Sequence, residues 1–253
     1  MSMPLVFVGH GNPMNALEDN DFSRTWAQLG QTLPRPRSVV CISAHWETDG
    51  TCVTAMERPA TIHDFSGFPP ALENMDYSAP GSPELAGRIM DMVTSTRIRP
   101  DRSWGLDHGA WSVLSRMYPQ ADIPVVQVSI DAWAPPAFHY ELGRELRPLR
   151  KEGVLILGSG NMVHNLGVMV WQEGGFDWAE ESDRAMAELI KAADHQTLVQ
   201  YEKVPHAKKA IPTEEHYLPL LYVLGAAEKG EPVTFFNEKV TLGSVSMRGV
   251  RVG

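Results

Sequence analysis

The sequence predicts an α/β fold: a single three-layer domain with a central mixed, mainly parallel sheet and helices on both faces. Short apolar runs of strand length, at residues 5–8, 39–44 and 154–157, alternate with longer segments of helical periodicity. No internal repeat, low-complexity tract or linker interrupts the chain. We therefore expect residues 1–253 to form one domain.

Three of the predicted strands lead to a histidine. His10 follows the first run in a tight glycine turn, His45 follows the second, and His164 comes shortly after the third. In an open α/β sheet, ligands bind beyond the carboxyl ends of the strands. We therefore expect these three histidines, which are far apart in sequence, to converge on one site.

Capping residues and periodicity predict the other elements. Asn20 is a predicted N-cap, and Ser82 followed by Pro83 marks a second helix start. Helices are predicted at about 21–33, 83–93, 111–117, 136–151, 178–193 and 220–227. Further strands are predicted at about 51–56, 124–130, 233–236 and 242–252, whereas residues 194–211 are polar and lack periodicity.

A long irregular segment at residues 57–80 is rich in proline, glycine and aromatic residues. Structureless loops of this length in a compact domain are usually either functional or disordered. The aromatic residues argue against disorder. We interpret the segment as a wall or lid of the functional site.

The composition excludes several functional classes. The chain has 22 Lys and Arg against 31 Asp and Glu, a net charge of −9, which argues against a nucleic-acid surface. No apolar run approaches the ~20 residues of a membrane helix, and the N-terminus lacks a signal-peptide pattern. Cys41 and Cys52 are predicted to be reduced core thiols. We expect a cytoplasmic protein that binds neither nucleic acid nor membrane; its oligomeric state has no sequence signal.

A shared histidine site points to a metal. Imidazole suits Zn, Cu, Fe or Ni, but the chain lacks the HExxH, paired CxxC and EF-hand signatures that would specify one. The Gly-Ser-Gly sequence at 158–160 lacks the rest of a phosphate-binding motif. His139, His195 and His206 are predicted to be structural or surface residues.

Several motifs together resemble one enzyme family. They are Gly-His-Gly-Asn-Pro-Met at 9–14, Ser-Ala-His-Trp at 43–46, Asp-His-Gly at 107–109, Gly-Asn-Met-Val-His-Asn at 160–165 and Glu-His-Tyr-Leu-Pro-Leu-Leu at 215–221. In this order they resemble the class III, LigB-type extradiol ring-cleavage dioxygenases, and within them the single-chain 4,5-DOPA extradiol dioxygenase branch. The resemblance spans nearly the whole chain.

The resemblance implies a non-haem Fe(II) site with His10 and His45 as two ligands. LigB-type enzymes typically complete this set with a glutamate, and the matching segment holds both Glu215 and His216. A histidine at this place is associated with the metal in the DOPA-type branch, so we expect His216, with Glu215 as the alternative. A three-histidine site also suits zinc, which we expect the same residues to bind.

The resemblance also implies catalytic and substrate-binding residues. His164 corresponds to the acid–base histidine of the family, and His108 to a second active-site histidine. We expect His63 to contact substrate, and Trp46 and Phe65 to line an aromatic pocket. The implied reactants are O₂ and a small-molecule catechol such as DOPA, with both oxygen atoms inserted beside the diol.

Two alternatives stay open on the sequence. The same histidines could hold zinc with a metal-bound hydroxide in a hydrolase, which would neither need Fe(II) nor consume O₂. Proteins of this architecture can also serve as non-enzymatic binding modules, which would tolerate loss of His164.

Overall fold

The computed structural model describes residues 2–253; Met1, part of the predicted domain span, lies outside the described residues. The strands are β1 (Leu5–Gly9), β2 (Ser38–Ser43), β3 (Glu47–Thr48), β4 (Cys52–Thr54), β5 (Arg99–Asp101), β6 (Val125–Gln127), β7 (Ile130–Asp131), β8 (Val154–Gly160), β9 (Val233–Phe236), β10 (Val240–Thr241), β11 (Val245–Ser246) and β12 (Gly249–Val252). Six of them form the central sheet, in the order β6-β2-β8-β1-β12-β9.

Four neighbouring strands of the central sheet, β6, β2, β8 and β1, run parallel, and β12 and β9 extend it antiparallel. Gly9 at the end of β1 pairs with Gly160 at the end of β8, and Ser43 at the end of β2 pairs with Ser159. The carboxyl ends of these three strands therefore lie side by side. The predicted mixed, mainly parallel sheet is confirmed.

Helices cover both faces of this sheet. They are α1 (Asp21–Thr32), α2 (Pro70–Glu73), α3 (Pro83–Met92), α4 (His108–Met117), α5 (Pro136–Leu146), α6 (Asp177–Lys191), α7 (His195–Val199), α8 (Ala207–Ala210) and α9 (Leu218–Ala226). Short 3₁₀ segments lie at Pro13–Ala16, Arg147–Glu152, Leu166–Val168 and Tyr201–Lys203.

The alternation of side chains along β1 divides the core in two. Phe7 points into a cluster built with α3, α5, α6 and α9, whereas Val6 and Val8 point into a cluster that contains Trp26 of α1 and Trp111 of α4. Successive strand residues face opposite sides of a sheet, so each face needs its own apolar partner layer. The predicted three-layer arrangement is confirmed.

Two elements end at an earlier residue than the sequence predicts. The helix expected over 136–151 stops being α-helical at Leu146 and continues as a 3₁₀ turn, because Pro148 has no N–H for the α-helical ladder. The strand expected over 124–130 leaves the central sheet after Gln127, since Ser129 donates its N–H to the carbonyl of Cys52 instead.

Residues 194–211, which show no periodicity, contain α7 and α8. Helices of five and four residues are too short to produce a recognisable amphipathic pattern. Within residues 2–253, no helix has the length and apolarity to cross a membrane. Cys41 and Cys52 are buried and unpaired, as predicted.

Candidate metal centre

Three histidine side chains meet beyond the carboxyl ends of β1, β2 and β8. The potential ligand nitrogens of His10, His45 and His216 all lie within 4.8 Å of one another. His10 directly follows β1 and His45 lies two residues after β2, with their Nε2 atoms 3.1 Å apart. His216 precedes α9, and its carbonyl accepts a hydrogen bond from the N–H of Asn161, which anchors it beside the end of β8.

The protonation of His10 is set by a serine. Ser159 donates its hydroxyl proton to the carbonyl of Gly109 at 2.5 Å, and its Oγ lies 3.0 Å from Nδ1 of His10. A hydroxyl whose proton is already donated can only accept at its remaining contact. Nδ1 of His10 therefore carries the hydrogen, and Nε2 presents its lone pair to the other two histidines.

Carboxylates play the same part for the other two histidines. Nδ1 of His216 lies 3.0 Å from Oε1 of Glu215, and Nδ1 of His45 lies 3.3 Å from Oδ2 of Asp64. A carboxylate at one ring nitrogen favours the hydrogen there and leaves the other nitrogen free as a metal ligand. Each of the three histidines thus carries its hydrogen on Nδ1 and keeps Nε2 free as a metal ligand.

Asp64 also contacts His108, the first residue of α4. The backbone N–H of His108 donates to Oδ1 of Asp64 at 2.9 Å, and Nδ1 of His108 lies 2.9 Å from the same oxygen. Burial raises the pKa of Asp64, but the contacts with His108 outweigh it and hold the pKa below its usual value. One carboxylate therefore links His45 and His108, whose ring centroids are 3.8 Å apart.

His164 lies on the other side of the cluster. Its ring stacks on that of His216, and its backbone N–H donates to the carbonyl of Ala210. Burial lowers the pKa of His164 to about 4, although the nearby Glu215 carboxylate opposes this shift. His164 is therefore a neutral imidazole at neutral pH.

Burial also keeps the converging histidines neutral. It lowers the pKa values of His10 and His216 well below the ordinary histidine value, and neighbouring histidines lower them further. The pKa of His45 falls to about 4, through burial first and then through His108. Metal binding requires deprotonated imidazole, so this electrostatic environment prepares the cluster for a cation.

The histidines open into a cavity of about 490 Å³. Phe65 and Phe68, from the irregular segment 57–80, form one apolar wall. Leu166, Met169 and Trp171, from the segment after β8, also line it. The lining suits a flat apolar ring with polar groups directed at the histidines.

Two residues expected at the substrate, Trp46 and His63, do not line this cavity. Trp46 is buried and its ring stacks on Trp104, with centroids 5.7 Å apart and planes 3° apart, so it belongs to the core. His63 does not line the cavity because its Nε2 lies 2.9 Å from the carbonyl of Met75 and its ring packs against Trp111. Neither side chain lines the cavity, and the expected contact of His63 and Trp46 with substrate stays a prediction.

The remaining histidines lie outside the site. His139 is buried with its Nδ1 3.0 Å from the Tyr222 hydroxyl, whereas His206 is exposed beside Glu181. His195 begins α7, with its Nδ1 3.0 Å from the hydroxyl of Tyr140. These three positions agree with the predicted structural and surface roles.

The family model for the catalytic LigB subunit of aromatic ring-opening dioxygenase matches residues 4–251. The chain belongs to the LigB family. An extradiol ring-cleaving activity, predicted from the motifs, is thereby confirmed for this LigB-family chain.

Relatives and a solved structure agree with this membership. The chain is 49% identical to the Escherichia coli protein named 4,5-DOPA dioxygenase extradiol, over 99% of this chain and 95% of that protein. It is 41% identical to the Beta vulgaris protein of the same name, over 87% and 85% of the two chains. A crystal structure of an uncharacterized Escherichia coli K12 protein superposes with a TM-score of 0.85 at 45% identity, covering 99% of this chain and all of that one.

Proposed function

We propose that this LigB-family enzyme cleaves a catechol such as DOPA with O₂ at an Fe(II) ion held by His10, His45 and His216, in the breakdown of aromatic compounds. The observation that carries the proposal is the convergence of three neutral imidazoles whose Nδ1 atoms each face an oxygen. The name of the Escherichia coli and plant relatives, 4,5-DOPA dioxygenase extradiol, supports the choice of substrate.

The residues fit an iron ion with open coordination positions. Glu215 contacts the Nδ1 of His216. We therefore propose that Glu215 orients the His216 ring and that His216 is the metal ligand. Fe(II) bound there would supply the redox chemistry that joins O₂ to the catechol ring. Three neutral imidazoles suit zinc equally well, and we propose that protein isolated without added iron carries zinc in the same site.

We assign His164 the transfer of protons. A catechol must lose protons to bind a metal through both oxygens, and a neutral imidazole can accept one. His164 is neutral at pH 7, lines the cavity and stacks on a proposed ligand. It therefore takes a hydroxyl proton when the catechol enters and returns one as the ring opens.

We assign His108 a hydrogen bond to a reactant oxygen. Its Nδ1 faces Asp64, which leaves Nε2 for the cavity that it lines. Phe65 and Phe68 pack against the aromatic ring and exclude water from one side. Holding both reactants beside these groups turns a chance encounter into a positioned reaction.

The proposal is tested by reconstituting metal-free protein with Fe(II) under argon, then adding DOPA and air. Oxygen uptake and the visible spectrum report the reaction. We expect stoichiometric uptake of O₂ with a coloured ring-opened product, and none from the zinc-loaded protein. Absence of O₂ uptake with every catechol tested, from protein shown to contain iron, would contradict the proposal.

We also propose a cytoplasmic location. Cys41 and Cys52 are buried, unpaired thiols, as expected in a reducing compartment. Fractionation of cells that express the protein from its own promoter tests this assignment, and recovery in an extracytoplasmic fraction would contradict it.

A further inference from the structure

The active-site cavity has an acidic rim without a cation. Among the described residues, neither lysine nor arginine lines it, and Glu18 is the only acidic residue that does. A carboxylate on a substrate side chain would therefore find neither a lysine nor an arginine among the residues that line the cavity.

Glu18 differs from the two acidic residues that follow it in the sequence. Asp19 pairs with Arg24 at 2.8 Å, and Asp21 pairs with Lys239 at 3.1 Å. Both pairs are exposed, and neither Asp19 nor Asp21 lines the active-site cavity. Among these three acidic residues, the one that lines the cavity, Glu18, is thus the one that forms no ion pair.

The carboxylate of Glu18 makes one weak contact, with the side-chain amide of Asn20 at 3.4 Å. Arg116 lies close by but donates to the backbone carbonyl of Glu18, at 2.9 Å, rather than to its carboxylate. Within residues 2–253 the Glu18 carboxylate forms no ion pair, so it retains its capacity to bind a cation.

Apolar side chains accompany this acid around the cavity. Leu166 and Trp171 line the cavity although they are 58% and 77% exposed. Large apolar groups exposed at a cavity gain burial when a ligand covers them. They suit the carbon chain that joins a catechol ring to a charged end group.

We infer that the cavity selects catechols that carry a protonated amine on the side chain, bound by Glu18, and that it does not recognise a side-chain carboxylate. This inference rests on the proposed catechol cleavage. It names the amine as the group of an amino-acid catechol that the enzyme recognises.

Four catechols distinguish the effect of a side-chain amine from that of a side-chain carboxylate. DOPA carries both groups, dopamine lacks the carboxylate, 3-(3,4-dihydroxyphenyl)propionate lacks the amine, and 4-ethylcatechol lacks both. The kcat/KM of each is measured with the iron-loaded enzyme, and its affinity for zinc-loaded protein is measured by calorimetry. We expect dopamine to exceed 4-ethylcatechol by about two- to fivefold in kcat/KM, as for one exposed charge pair, with the propionate lowest.

The variant Glu18→Gln tests the named residue. It should bring the ratio of dopamine to 4-ethylcatechol close to one, and raised salt should do the same to the parent enzyme. Asp19→Asn removes a neighbouring charge that is paired outside the cavity, and should keep the ratio of the parent.

The failures of the two proposals are distinguishable. If the propionate is the best substrate, or if the ratio survives Glu18→Gln, the inference is overturned while ring cleavage stands. If no catechol is turned over, the proposed function fails, and the order of affinities for zinc-loaded protein still decides the amine preference. If zinc-loaded protein binds all four compounds with equal affinity, the inferred amine preference is overturned.

Discussion

The imidazole rings of His164 and His216 stack with centroids 3.5 Å apart and planes 13° apart. His216 is in turn anchored by the hydrogen bond from Asn161 to its carbonyl and by the contact of its Nδ1 with Glu215. The stacking fixes the proposed acid–base group against a proposed metal ligand. We therefore propose that proton transfer and metal binding take place in one rigid unit at the end of β8.

Replacing His164 should abolish catalysis without emptying the metal site. General acid–base groups contribute about 10²- to 10⁴-fold to rate, so His164→Ala should lower kcat by this factor while iron content is retained. His164→Phe keeps a stacked ring but has no titratable nitrogen, and it should be as inactive as His164→Ala. Steady-state O₂ uptake and metal analysis measure both variants. A His164→Phe enzyme with near-parent kcat would show that only the stacking matters.

Removing the charge of Asp64 should weaken metal binding, because its carboxylate faces Nδ1 of His45 as well as His108. Loss of such an orienting partner typically costs 10- to 100-fold in metal affinity or activity, so Asp64→Asn should show a loss of about this size. Zinc affinity is measured by competition with a chelator.

The matched control for Asp64 lies in the same irregular segment. Asp76 accepts hydrogen bonds from Thr61 and Ser78 and does not contact a site histidine. Asp76→Asn should therefore keep the zinc affinity of the parent. Equal losses in the two variants would mean that the segment, rather than the Asp64 carboxylate, supports the metal.

The close approach of α4 to His45 requires glycine at position 109. A Cβ there would collide with Oγ of Ser43 and lie 2.9 Å from Cδ2 of His45. Gly109→Ala should displace the His45 ring, and we expect loss of zinc binding together with a lower melting temperature.

Gly87→Ala is the control for this substitution, because Gly87 lies within α3 and a Cβ would meet nothing within 4 Å. Alanine should stabilise that helix by up to about 1 kcal/mol and leave zinc binding intact. Unimpaired zinc binding by Gly109→Ala would contradict the tight packing described for α4.

The metal-free protein should lose stability as the pH falls from 7 to 5. The pKa values of His45 and His164 are about 4 in the folded chain, against an ordinary value of 6.5. Above pH 6.5 both histidines are neutral in the folded and in the unfolded chain. Below pH 6.5 they bind protons in the unfolded chain but stay neutral in the folded chain until the pH approaches 4. Each of these histidines should lower the free energy of unfolding by about 2 kcal/mol at pH 5.

Urea unfolding of the metal-free protein at the two pH values measures this effect. His164→Gln should shrink the difference in unfolding free energy, whereas His206→Gln, at an exposed position, should not. A free energy of unfolding that is the same at pH 7 and pH 5 would contradict the burial of neutral histidines.

Much of this architecture follows from local sequence. Apolar runs that end in glycine or histidine predicted β1, β2 and β8, and the open-sheet rule predicted that His10, His45 and His164 would share a site. These signals are local, since a strand and the residue that follows it are neighbours in the chain.

The partners of the histidines could not be predicted in this way. Ser159 and Asp64 acquire their roles from contacts across 149 and 19 residues of chain, which no periodicity encodes. Asp64 stands between His63 and Phe65, and that position in an aromatic-rich segment was the available signal. The stacking of Trp46 on Trp104 could not be predicted either, because adjacency to His45 does not reveal which way a side chain points.

The most direct measurement of the central claim is the fate of isotopically labelled oxygen. The iron-loaded enzyme is given DOPA under ¹⁸O₂, the product is reduced at once with borohydride to prevent exchange with water, and its mass is determined. Extradiol ring cleavage predicts that both ¹⁸O atoms appear in the ring-opened product. A product without ¹⁸O, or an oxidised catechol with its ring intact, would contradict the account.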